Sequence, residues 1–195
     1  MEITLSNVSK SFGPNKVIDK FSFSFNKGVY AILGKNGSGK STLLKLIGNL
    51  SSPSSGKVVY NTNEKIDITK KIFFCSPYQE LISELTIKEF LNFHKKFRNP
   101  IADYKKIIKL FKLYDYYNTK IENLSSGSIQ KLRLIISFYS DSKFILLDEP
   151  TTNLDKEGKI NYMKILNEFA YKKGIIIATN DDNDYLKGKT TIIRL

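Results

Sequence analysis

Gly34-Lys35-Asn36-Gly37-Ser38-Gly39-Lys40-Ser41 fits the spacing G-x-x-x-x-G-K-[ST] at every fixed position. It follows the apolar run GVYAIL (28–33) and opens onto STLLKLIGNL (41–50), whose apolar residues recur at helical spacing. A chain leaves a buried strand through such a loop when main-chain N–H groups must turn inward around an anion. Glycine has no Cβ to block that approach, and the following helix adds its free N–H groups and dipole. The pattern therefore predicts a phosphate cradle from Gly34 to Ser41. Lys40 is expected to reach the β- and γ-phosphates of a nucleotide as a point charge, the Ser41 hydroxyl to ligate Mg2+, and Thr42 to touch the α-phosphate.

A nucleotide γ-phosphate also needs a metal carboxylate and a group that polarises the attacking water. FILLDEP (144–150) offers both. Asp148 ends an apolar strand and so emerges at the sheet edge where the glycine loop also lies, placed to hold Mg2+ through water. Glu149 follows and is the candidate general base. Two acidic residues at a strand end are elsewhere often a helix cap. A fully apolar strand before them and a phosphate loop beside them favour chemistry here.

These residues need a sheet to carry them. EITL and KFSFSF alternate as half-buried strands do, with GPN (13–15) as the turn between. KVVY, KIFFCS (71–76), KFILLD (143–148), GIIIAT (174–179) and TTIIRL read as further strands. Between them lie helical patterns at 85–97, 103–117, the run IQKLRLIISFYS, and 156–171. The chain thus predicts a single α/β domain over residues 1–195, with strands at both ends flanking a block of helices from about 78 to 135. At 195 residues it is long enough for one sizeable core. A single cysteine excludes a disulfide framework and suits a reducing cytosol, and no apolar run approaches the length of a membrane helix. The net charge of +12 is unusual. Between residues 86 and 120 nine Lys/Arg face three Asp/Glu, which is half the excess in under a fifth of the chain. Nucleic acid, an anionic membrane surface or a solvated face would each account for it.

In this order, the motifs resemble the nucleotide-binding subunit of ATP-binding-cassette (ABC) transporters, over nearly the whole chain. Leu124-Ser125-Ser126-Gly127-Ser128, before IQKLR, resembles the family signature, usually LSGGQ. The resemblance implies a P-loop NTPase (RecA-like) core with an antiparallel β subdomain and an inserted helical subdomain. It implies ATP and Mg2+ as cofactors, with each ATP sandwiched between two chains. Ser125, Ser126 and Gly127 would then face the γ-phosphate held by a partner subunit. Phe12 matches the aromatic that stacks on adenine, and Asp155, in NLD, matches the loop that crosses the dimer interface. The helical block would grip a multi-span permease, with its lysines near an anionic leaflet. The expected location is the inner face of the cell membrane, on the cytoplasmic side.

The sequence departs from the family pattern at three places. Pro77 occupies the slot of a glutamine that ligates Mg2+, so Gln79, two residues on, is the candidate substitute. The signature carries serine at 126 and 128, which keeps small size and backbone donors. Asn180 stands where a histidine normally follows the strand IIIAT. Asn180 can donate a hydrogen bond, but it cannot carry a proton near neutral pH. Slow hydrolysis by a homodimer, or a heterodimer whose other subunit completes one site, are both expected from that change. A soluble ABC-type ATPase acting on nucleic acid or ribosomes, and an ATP-dependent clamp, are the alternative functions.

Overall fold

A computed structural model describes residues 1–62 and 67–195, and the side chain of Lys106 lies outside what it describes. The elements are β1 (Glu2–Phe12), β2 (Asn15–Phe25), β3 (Gly28–Leu33), α1 (Lys40–Ile47), β4 (Ser55–Asn61), α2 (Ile68–Lys71), β5 (Ile72–Cys75), α3 (Ile87–His94), α4 (Tyr104–Leu110), α5 (Ser126–Tyr139), β6 (Phe144–Asp148), α6 (Lys156–Phe169), β7 (Gly174–Thr179) and β8 (Thr190–Arg194).

Two sheets form. The first is antiparallel, in the order β2-β1-β4, and the second is parallel, in the order β5-β6-β7-β3-β8. The apolar strands explain the second. β6 and β7 are continuous apolar runs, so both faces must be covered. Ile145, Leu147, Ile175 and Ile177 point into one core, shared with α3, α4, α5 and α6. Their neighbours Phe144, Leu146, Ile176 and Ala178 point into the other, shared with α1 and the antiparallel sheet. Strand alternation alone thus builds a three-layer molecule around β6, β7 and β3.

The topology does the positioning. β7 lies between β3 and β6, with Leu33 level with Thr179 and Asp148 level with Ala178. All three strands run the same way. The segments that leave their carboxyl ends, 34–41, 148–149 and 179–181, therefore emerge side by side.

Local structure differs from the sequence expectation where caps override periodicity. The helix expected over 103–117 stops at Leu110. Lys112 takes φ +56, its N–H donates to the Lys109 carbonyl, and Leu113 N–H donates to the Ile108 carbonyl at 3.0 Å. That is a Schellman stop with lysine in the usual glycine position, held by burial of Leu113 against the core. The helix expected over 85–97 is α3 alone. It opens on a capping box between Thr86 and Glu89 and ends at His94. The helix expected from IQKLR onward starts earlier, at Ser126, because Ser125 caps it. Lys71 belongs to the short helix α2 rather than to β5, and β1 and β4 extend beyond EITL and KVVY.

The basic patch is smaller than the sequence count. Lys88, Lys95, Lys96, Lys105, Lys109, Lys112 and Lys120 are exposed. Arg98 is not part of that face. Its guanidinium sits over the Phe73 ring at 5.0 Å and donates to the carbonyls of Thr69, Lys70 and Ile72. It closes the end of α2 onto the core, which is structural work.

Candidate nucleotide site

The loop after β3 wraps the N-terminus of α1. Gly39 occupies the cap position at φ +98, and no side chain caps the helix. Its first N–H groups are therefore left facing a groove of about 450 Å3, lined by Val17, Asn36, Gly37, Gly39, Lys40, Ser41, Thr42, Tyr78 and Glu149. Gly39 is irreplaceable on two counts. Its φ suits glycine, and a Cβ there would lie 2.8 Å from a methyl of Val17 and 3.0 Å from the Val17 carbonyl. The antiparallel sheet thus lies directly against the loop.

Lys40 is buried and donates to the carbonyls of Gly34, at 2.8 Å, and Lys35, at 3.1 Å. Its ammonium is held over the loop rather than in solvent. Ser38 N–H also donates to the Lys35 carbonyl, at 3.1 Å. The Ser38 hydroxyl is buried and has no partner among the described residues. A buried orphan hydroxyl is uncommon in a folded protein. With an uncapped helix end and a buried lysine beside it, it fits a site built for an oxyanion.

Ser41 reaches the second component. Its hydroxyl donates to Asp148 Oδ1 at 3.0 Å, across 107 positions of sequence. Asp148 is 8% exposed, and burial pushes its carboxyl above the usual carboxylate range, while the Ser41 bond and Lys40 pull it back. A hydroxyl and a carboxylate in contact, beside an oxyanion cradle, are the donor set a hard divalent cation such as Mg2+ takes. Glu149 follows with φ +45, and its N–H donates to the Ala178 carbonyl at 2.8 Å. A left-handed glutamate is a strained conformation held by its surroundings. It turns the side chain along the groove wall.

Asn180 leaves β7 and donates from Nδ2 to Asn36 Oδ1 at 3.3 Å, so it lies against the phosphate loop as its register requires. Phe12 stands at the tip of the β1–β2 hairpin, 55% exposed, with the Lys10 ammonium 5.2 Å from its ring centre. It is free to receive a flat ligand. The same hairpin supplies Val17 to the groove.

Gln79, the candidate substitute for the metal-ligating glutamine, lies apart from Ser41 and Asp148 in this structure. It does not line this groove; it lines a separate cavity beside β5 and α3. The physical reason is Arg133 of α5, whose Nε and Nη2 donate to the Gln79 carbonyl at 2.9 and 2.6 Å and hold the loop outward. Tyr78 takes the groove position instead. Arg133 also donates to Gln130, and the buried Gln130 amide donates to the Pro150 carbonyl at 2.8 Å. Two α5 side chains thus join the loop after β5 to the loop after β6.

Ser125, Ser126, Gly127 and Asp155 do not reach this groove. They form a second patch. Ser125 Oγ caps α5 by accepting from Ser128 N–H at 3.2 Å; Ser125 and Ser126 are exposed and Gly127 is half-buried. A Cβ at Gly127 would lie 2.7 Å from the Asn153 carbonyl, so the α5 start and the loop 151–154 lie in contact. Asp155 caps α6, accepting from Gly158 N–H at 2.7 Å, and pairs with Lys131 at 3.1 Å. Those bonds, the Gly158 N–H first, hold its carboxyl below the usual range.

Sequence reading missed Val17, Tyr78, Gln130 and Arg133. Only Tyr78 had a usable signal: it follows a strand whose end lies at the same sheet edge.

The family model for ABC transporters matches residues 18–152, which is most of the chain. The chain belongs to the ABC transporter family. It is 32% identical to the macrolide export ATP-binding/permease protein MacB of Campylobacter jejuni, over 97% of this chain and 32% of that protein. It is 31% identical to the lipoprotein-releasing system ATP-binding protein LolD of Ehrlichia chaffeensis, over 95% of this chain and 87% of that one. It is 26% identical to the zinc import ATP-binding protein ZnuC of Buchnera aphidicola, over 98% of this chain and 79% of that one. The chain thus spans about a third of MacB and most of the other two. Among solved structures it is similar to a dimeric ATP-binding cassette in a post-hydrolysis state with ADP and Pi, with a TM-score of 0.75 and 26% identity over 93% of this chain and 89% of that one. A putative ABC transporter ATP-binding protein from Pyrococcus furiosus matches all of the chain and 98% of its own length at TM-score 0.79, with 22% identity. The parallel-sheet core and antiparallel sheet of this chain match the fold of these solved cassettes.

Proposed function

We propose that this chain binds Mg-ATP in the groove around α1 and hydrolyses it as the ATPase subunit of a membrane transporter. The observation that carries the reading is the contact of Ser41 with Asp148, with Lys40 and the uncapped end of α1 beside it. Gly34, Lys35, Asn36, Gly37, Ser38, Gly39, Lys40 and Thr42 surround the phosphates, and Phe12 stacks on the base. Ser41 and Asp148 would hold Mg2+, which would supply neutralisation of the phosphate charge. Glu149 accepts the proton of the attacking water, and Asn180 orients the γ-phosphate by hydrogen bonding.

The second patch supports a dimer. Ser125, Ser126, Gly127 and Asp155 lie away from the chain's own groove, so they serve a nucleotide only across an interface with a second cassette. ATP then favours the closed pair, because it contacts both subunits and ADP does not. Asn180 supports slow turnover in a homodimer.

The cavity beside β5 supports the docking of a permease. It has about 460 Å3 and is walled by Phe73, Leu81, Phe90, His94 and Phe97, with Phe97 63% exposed. Among the described residues no helix is long and apolar enough to cross a membrane. We therefore read the helical block, about 78–135, as the part that meets a separate membrane-spanning partner on the cytoplasmic side. Relatives named for import and for export match alike, so direction and cargo belong to the partner.

The test is titration calorimetry with Mg-ATP, followed by light scattering. The wild-type chain binds, Lys40→Ala does not, and Glu149→Gln with ATP doubles its mass. A wild-type chain that takes up no Mg-ATP ends the proposal.

A further inference from the structure

Three buried hydroxyls and one carboxylate meet behind the groove, around a residue, Asp184, that no motif in the sequence includes. Asp184 lies between β7 and β8 and is 2% exposed. Its Oδ1 accepts from the Thr151 hydroxyl and its Oδ2 from the Thr179 hydroxyl. Its own carbonyl accepts from Tyr162 of α6 at 2.8 Å. Thr179 Oγ1 in turn accepts from Asp181 N–H at 2.9 Å.

The two threonines belong to the two loops that carry the chemistry. Thr151 lies two residues beyond Glu149, in a tight turn where Thr152 N–H donates to the Glu149 carbonyl at 3.2 Å. Thr179 precedes Asn180. A single carboxylate therefore ties the loop of the general base to the loop of the γ-phosphate donor. Asp184, Glu149 and Asn180 line one small polar cleft of about 240 Å3, together with Thr151 and Thr179.

Burying a carboxylate is costly, and among the described residues no cation pairs directly with this one; burial pushes it above its usual range. Packing alone would be served by an apolar side chain. The position instead uses both carboxylate oxygens, each on a different loop. Glu149 holds a left-handed φ that its own residue type does not favour, so it depends on such outside restraint.

We infer that Asp184 is a positioning residue of the ATPase reaction, holding Glu149 and Asn180 in register with one another. The inference rests on the ATPase reading above. It separates hydrolysis from binding, because among the described residues nothing in the phosphate loop or α1 bonds to Asp184, Thr151 or Thr179; the loop is touched only through Asn180 and Asn36.

The experiment measures kcat and KM for Mg-ATP, and the melting temperature, of the full chain and its variants. Asp184→Asn keeps shape but cannot accept from both hydroxyls without turning its amide toward one of them. It lowers kcat about tenfold or more and leaves KM within about twofold. Thr151→Val and Thr179→Val each lower kcat in the same way, and they carry the test if Asp184→Asn does not fold. Thr179→Ser, which keeps the hydroxyl, recovers most of the loss. Asp184→Asn added to the double valine variant costs nothing further, because the bonds it would break are already gone. Unchanged kcat in Asp184→Asn, or a loss equally shared by KM, overturns the inference while leaving the ATPase reading intact. A wild-type chain that binds no Mg-ATP and shows no turnover overturns both.

Discussion

Two cavities of similar volume lie on this molecule, and they are made in opposite ways. The nucleotide groove, about 450 Å3, is built largely of main-chain amides and small side chains. The cavity beside β5, about 460 Å3, is built of large side chains drawn from β5, α2, α3 and α5. On the function proposed above, the first would recognise an ion, so backbone geometry sets it and a fixed run of glycines encodes it. The second would receive an apolar surface, so many residue combinations would serve and no spacing encodes it. Glu149→Gln breaks the first cavity hardest. It removes the proposed general base without touching the cradle and lowers kcat by about 10² to 10⁴-fold, with Mg-ATP binding retained. Loss of binding in this variant would mean that Glu149 shapes the groove rather than the reaction.

The next effect sharpens the first cavity. Asn180→His adds a protonatable donor beside Asn36. Restoring one such donor raises single-turnover hydrolysis by about 10²-fold, with the gain titrating near neutral pH. An unchanged rate would show that the asparagine already supplies all the site needs from that position.

The contrast between the cavities also marks what the sequence could reveal. The loop 34–41 was legible because each glycine answers a backbone need, and Asp148 and Glu149 because a wholly apolar strand delivers them. The order of the parallel sheet was not read from the sequence; the structure places β7 between β3 and β6 and so brings the three segments together. The place of Gln79 beside β5 depends on Arg133, 54 residues away, and no local signal carries that bond. Arg98 was counted with a charged face because composition cannot tell a guanidinium folded over Phe73 from one in water. The helix over 103–117 was drawn too long because apolar spacing continues through Lys112, where burial of Leu113 forces a left-handed turn. Asp184 was invisible for the same reason: its partners lie 33 and 5 residues away, on two loops.

A smaller effect tests the cradle itself. Gly39→Ala places a Cβ against Val17 at φ +98. It costs about 1 to 3 kcal/mol, read as a lower melting temperature, and weakens Mg-ATP binding by displacing the start of α1. The second patch is untouched, so ATP-independent behaviour of α5 and α6 stays as in the wild type. A full-affinity Gly39→Ala chain would mean that the loop has slack the close approach of Val17 denies.

The smallest effect belongs to the second cavity. His94 lines it, with Tyr104 Oη 3.3 Å from its Nδ1 and the rings of Phe73 and Phe90 beside it. Burial first, and the nearby Arg98 charge second, push its pKa down to about 4. The Lys95 ammonium lies on the far side, over the Tyr104 ring. The folded state therefore keeps His94 neutral, while the unfolded chain takes up its proton near pH 6.5. Stability supplied by the neutral ring is complete above pH 6.5 and is lost as pH falls from there toward 4, because only the unfolded state gains the proton in that window. The ring is partly open to solvent, so screening reduces the full linkage to about 1 to 2 kcal/mol. Urea unfolding between pH 7 and 4.5 reads it directly. The wild type loses stability more steeply than His94→Gln, which has no proton to gain. Parallel curves for the two would mean that the histidine titrates alike in both states, and that this wall is wetter than its contacts imply.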